Sequence, residues 1–104
     1  GVGGAVADAI GERLARLARD AQVLVVTHSP QVAARADAHW RLDKVQGANE
    51  TTPRVERLDK EARVEEIARM LSGASVTEEA RAQARRLLGA AAQPAGDVRR
   101  KKVS

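Results

Sequence analysis

The chain has no cysteine, no phenylalanine and no tyrosine. The missing cysteines exclude disulfides and thiolate metal sites, and fit a reducing compartment. With Trp40 as its only aromatic residue, any core must be built from Ala, Val, Leu and Ile. Small side chains bury little area each, so such a core confers modest stability. Long apolar runs are also missing. None approaches the roughly 18 residues that a membrane span needs, and no signal-peptide pattern occurs. The chain opens on Gly1 rather than Met, which fits a fragment or a processed product.

The 104 residues suffice for one small domain. The net charge of +4 suggests nucleic acid at first sight, but its location weakens that reading. Residues 93–104 carry Arg99, Arg100, Lys101 and Lys102 against one acid, Asp97. The remainder is nearly balanced, as ordinary solvated surfaces are. From this charge balance no basic DNA-binding face is expected on the body. The tail, with Pro94 and Gly96, reads as a disordered segment that either touches phosphates weakly or is merely solvated.

Periodicity divides residues 1–92 into elements. Gly1–Gly4 is a glycine-rich turn. Val6, Ile10, Leu14 and Leu17 form a helical stripe, predicting a helix over about Ala5–Arg19. Val23–Val26 is apolar without alternation, the pattern of a strand buried on both faces of a parallel sheet. Ser29 and Pro30 start a short helix, about Pro30–Ala36, as cap and first residue. His39–Val45 alternates and Arg54–Leu58 returns, predicting a hairpin across the polar turn Gln46–Thr52. Trp40 and Leu42 share one face, with His39, Arg41 and Asp43 on the other; Trp40 is expected to fill the hairpin core rather than stack on a base, since a base-stacking site would usually bring further aromatics. Pro53 should limit pairing at the start of the return strand. Val64, Ile67, Ala68 and Leu71 mark a helix that Gly73 ends. Thr77 caps the last helix, with Glu78 and Glu79 in its first turn and a stripe of Ala80, Ala84, Leu87, Leu88 and Ala91. No internal repeat is present.

His28 follows Thr27 at the C-terminal end of the apolar run, where ligands bind in open α/β sheets. An imidazole there can donate to a phosphate oxygen or orient a water. It can equally be held by local backbone carbonyls, and one histidine does not make a site. Other polar residues read more plainly. His39 is a strand surface residue, and Asp8 and Asp20 are local caps or surface charges. Glu65 and Glu66 are consecutive on a helix and point different ways, which makes them a poor catalytic pair.

Three segments add a resemblance. Val23-Leu24-Val25-Val26-Thr27-His28-Ser29-Pro30-Gln31-Val32-Ala33-Ala34 resembles the switch-histidine segment of the RecN family, ABC-type ATPases related to SMC proteins. Gly1-Val2-Gly3-Gly4-Ala5-Val6-Ala7 resembles the end of that family's D-loop. Arg63-Val64-Glu65-Glu66-Ile67-Ala68-Arg69-Met70-Leu71-Ser72-Gly73 resembles its C-terminal helix. The likeness runs in one consistent order from Gly1 to about Leu88. It implies an α/β fold, the C-terminal portion of a P-loop ATPase head over residues 1–92, followed by the basic tail. It implies that His28 contacts the γ-phosphate and helps place the attacking water. A Walker B glutamate preceding Gly1 would be the main base. Gly3 and Gly4 would lie near the nucleotide or the dimer interface; as glycine turns they can also be plain loop.

ATP and Mg²⁺ would serve the complete parent, and neither is expected to bind this chain alone. The implied partners are the missing N-terminal head half with its coiled coil, a second head in a homodimer, and DNA. The implied setting is the bacterial cytoplasm, at the nucleoid. The departures are large, since no Gly-x-x-x-x-Gly-Lys-Ser/Thr loop occurs. Phosphoryl transfer needs that loop, its lysine and Mg²⁺. A head from another SMC-like or ABC ATPase, and a non-enzymatic module that dimerises through apolar helix faces, are the alternatives. A hydrophobic strand ending in Asp-Glu just before Gly1 would favour an ATPase.

Overall fold

The computed structural model describes residues 3–73 and 75–92, and its first element is helix α1, Gly4–Leu17. Gly3 is its N-cap, in extended conformation and without a side-chain cap. The expected apolar stripe is not what α1 buries. Val6, Ile10 and Leu17 are exposed, whereas Ala7 and Gly11 are buried. The reason is close backbone approach to helix α2, Pro30–Ala33. A Cβ on Gly11 would lie 3.2 Å from the Gln31 carbonyl oxygen and 3.4 Å from the Val32 Cα. Small residues win this contact, and of the larger apolar stripe Leu14 is half-buried while Val6, Ile10 and Leu17 stay exposed.

Helix α2 begins as expected, with Ser29 Oγ accepting from the Val32 amide. It ends earlier than expected. The Arg35 and Ala36 amides donate to Val32 and Ala33 in tight turns three residues apart.

Val23–Val26 is a clear correction. The run belongs to no strand, and Leu24 and Val26 are 89% and 84% exposed. A strand is defined by its neighbour's hydrogen bonds, and no described segment supplies that neighbour. The only described sheet is a two-stranded antiparallel hairpin, β1 (Trp40–Gln46) with β2 (Thr51–Arg57). Its turn is tighter than expected: the Gly47 amide donates to the Glu50 carbonyl at 2.7 Å. Pairing also passes through Pro53, opposite Lys44, instead of starting after it. Both strands of a lone hairpin are edges, and proline is tolerated where its nitrogen faces outward.

Helix α3 (Lys60–Ser72) is capped by Asp59, which accepts from the Ala62 amide at 2.8 Å, and ends at Gly73 with φ of 83°. A left-handed conformation at that position suits glycine alone. Helix α4 (Glu78–Ala91) is capped by Thr77, as predicted. These two helices and α2 make the core. Ile67, Ala68 and Ala84 are fully buried, with Val64, Ala80, Ala33 and Ala34 around them. Met70, Leu71, Val76, Leu87 and Leu88 pack on its rim. Glu65 reaches Arg81 across α3 and α4 at 2.6 Å, while the adjacent Glu66 turns to Arg69. The two carboxylates do point different ways. The architecture is thus α/β, with four helices and two antiparallel strands among the described residues. No helix among them is long and apolar enough to cross a membrane.

Candidate functional site

His28 lies on a turn that its neighbours hold in shape. The Ser29 amide donates to Thr27 Oγ1 at 2.9 Å, spanning His28. Ser29 Oγ donates to Gln31 Oε1 at 3.1 Å and accepts from Val32. These bonds are local because Ser and Thr side chains compete for nearby backbone groups. The imidazole itself is exposed. No described hydrogen bond ties it to a backbone carbonyl.

Gly4 comes close to the same turn. A Cβ built on it would lie 3.9 Å from Gln31 Nε2. The start of α1 and the His28 turn, far apart in sequence, are therefore neighbours through Gln31. Gly3 has open space where a side chain would stand. Arg99, Arg100, Lys101 and Lys102 lie outside the described residues.

The anchor at the far end of α2, the helix that follows this turn, was not legible in the sequence. Arg63, from α3, donates to the carbonyls of Ala33 and Ala34 at 3.0 and 3.3 Å, and to that of Ala36. A cation at the C-terminal end of a helix satisfies its free carbonyls and complements their dipole. The contact spans almost thirty residues, so no local pattern announces it.

Beside Arg63 stands His39, which corrects a second expectation. It is half-buried rather than on the surface, and its buried Nδ1 has no described partner. Burial lowers its pKa, the nearby Arg63 guanidinium lowers it further, and Glu66 opposes both. The folded state therefore binds this proton more weakly than the unfolded chain. His39 contributes stability above the unfolded value of about 6.5, and that contribution is lost as the pH falls below it. We expect the urea midpoint of the wild-type chain to drop between pH 7.5 and 5.5 by more than that of His39→Gln. Equal drops would assign the acid sensitivity to another group.

The hairpin corrects a third expectation, because its faces are reversed. Arg41 and Asp43 turn toward α3, where Arg41 pairs with Glu56 at 2.7 Å and approaches the buried Glu66 at 3.8 Å. Trp40 and Leu42 point outward, 53% and 65% exposed. The apolar side of α3 is already covered by α2 and α4, so the hairpin meets the side that carries Glu66. A buried carboxylate there demands charged partners. Glu66 obtains them from Arg69 and Arg41.

Among the described residues, no group of three or more His, Cys, Asp or Glu could hold a metal ion. No family model matches the chain. Individual proteins do. It is 48% identical over 88 residues to the DNA repair protein RecN of Rickettsia felis, a match covering 85% of this chain and 16% of that protein. Identity to the RecN of Streptomyces coelicolor is 53%, and to that of Mycobacterium bovis 52%, each over 85% of the chain and 15% of the relative. The likeness is too high and too evenly supported for chance, so the chain belongs to the RecN family, as a stretch of about 15–16% of the length of the relatives it matches.

Proposed function

We propose that this chain is the part of an ATP-hydrolysing DNA double-strand-break repair protein that supplies the end of the D-loop, Gly3 and Gly4, and the switch histidine, His28. The observation that carries this reading is the His28 turn. An exposed imidazole sits on a hydrogen-bonded loop, and Gly4 stands beside that loop through Gln31. Such a group can donate to the terminal phosphate of ATP and help orient a water. Among the described residues no carboxylate is paired with it. In this reading the metal, the phosphate loop and the catalytic glutamate come from other parts of the longer protein. The exposed apolar surfaces of α1 and of Val23–Val26 support the same reading. The other half of the head would cover them, and a second head would close over the glycines. DNA is the partner of the whole assembly, with Arg99–Lys102 as a weak phosphate contact.

The test compares the longer protein with a version that ends before residue 23. ATP turnover should fall to background, and cells carrying only that version should remain sensitive to double-strand breaks. Undiminished turnover would leave the chain as a non-enzymatic packing module.

A further inference from the structure

The reversal of the hairpin sorts its charges by face. Side chains alternate along each strand, and the register pairs Trp40 with Arg57, Leu42 with Val55, Lys44 with Pro53 and Gln46 with Thr51 on the outer side. The inner side takes Arg41 with Glu56 and Asp43 with Arg54. Ion pairs at 2.7–3.8 Å consume those inner charges, and Glu66 joins them from α3. Both carboxylates of the two strands are thus on the inner face. The outer face holds one aromatic ring, two cations and no acid; Glu50 lies beyond it, in the turn. Arg57 sits 5.9 Å from the centre of the Trp40 ring.

Tryptophan is enriched at interfaces, and the cationic, acid-free surroundings of Trp40 complement an anion with flat, stackable groups. We infer that the outer face of the hairpin binds single-stranded nucleic acid, with a base stacked on Trp40 and backbone phosphates on Arg57 and Lys44. Stacking is tolerant of sequence because every base has a π-face, and the cations follow the backbone. A duplex does not offer this contact, since its bases are already stacked. A protein partner would find the apolar Leu42 and Val55, but nothing on this face would pair with its basic groups. The inference deepens the proposed role in DNA repair by naming which form of DNA one surface takes.

Trp40 is the only aromatic residue, so the fluorescence of the full chain reports this face alone. Titration with oligothymidylate at low salt should quench it. Anisotropy of a labelled oligonucleotide should show Trp40→Leu weakening binding by about 5- to 150-fold, the range for one base–aromatic stack. Lys44→Gln and Arg57→Gln should each reduce the slope of log affinity against log salt by about 0.7. Neutralising Arg99–Lys102 should lower affinity yet leave the quenching at saturation intact. Unchanged circular dichroism in the variants confirms the fold. Binding that leaves Trp40 emission unaltered would overturn the inference, since the tail alone would then hold the strand. Equal competition by a duplex would overturn it too. So would a Trp40 shielded from acrylamide in the longer protein bearing no other tryptophan, because the face would then be covered by protein. Each of these failures leaves the ATP-turnover test of the proposed function standing.

Discussion

Replacing His28 with alanine in the longer protein is expected to slow ATP turnover by about 10²–10³, the usual cost of losing one transition-state hydrogen-bond donor. ATP affinity should stay nearly unchanged, because binding would rest mainly on the phosphate loop carried elsewhere in that protein. In the proposed role, the histidine would contribute at the moment when charge and water are arranged. The exposed position makes the experiment clean. The imidazole is not packed in the core and has no described hydrogen bond to lose, so Ala should leave the fold intact. The turn around it is held by Thr27, Ser29 and Gln31 rather than by His28. His28→Gln, which keeps a donor of similar reach, should retain part of the rate. The deciding measurement is affinity and turnover on one His28→Ala preparation, with circular dichroism as the folding check. Wild-type turnover in that protein removes His28 from the mechanism, and with it the only catalytic group proposed in this chain.

The second large effect concerns stability. Ile67→Ala should destabilise the chain by about 2–5 kcal/mol, the range for removing a large aliphatic side chain from a core. Ile67 is the largest fully buried side chain, and five of the other six residues in its cluster are not larger than alanine. Alanines cannot swing into the space it leaves, so the cavity stays open. Domains have only about 5–15 kcal/mol to lose. A core this small, with Val23–Val26 unpaired, places the isolated chain near the low end. The variant should therefore lack a cooperative unfolding transition, while Ile67→Val should cost only about 0.5–1.5 kcal/mol. Urea titration followed by far-ultraviolet circular dichroism measures both. A cooperative Ile67→Ala transition with the wild-type midpoint would show that the core is organised around other residues. The wild-type chain itself should melt below about 65 °C or self-associate.

Local chemistry was legible in the sequence. Ser29 and Thr77 cap the helices they were expected to cap, and Gly73 ends α3, because each acts on amides or carbonyls within a few residues. The stripes Val64–Ile67–Ala68 and Ala80–Ala84 became the core, because the helical period brings those residues to one face whatever lies opposite. The resemblance of the Thr-His-Ser-Pro run to RecN was legible for the same reason, as it lies in residue order alone.

Only the tertiary structure decided which face meets which. Alternation in the hairpin says that two faces differ, and says nothing of which one turns inward. That choice fell to Glu66, whose buried charge draws Arg41 inward and leaves Trp40 outside. Gly11 outcompeted the stripe of α1 because backbone approach depends on a partner helix twenty residues away. Arg63 and His39 acquired their positions from carbonyls and charges equally distant in sequence. Val23–Val26 has the composition of a buried strand, yet Leu24, Val25 and Val26 are exposed here, since its hydrogen-bonding neighbours are not among the described residues. Propensity and periodicity are properties of a segment, whereas burial is a property of a pair of surfaces.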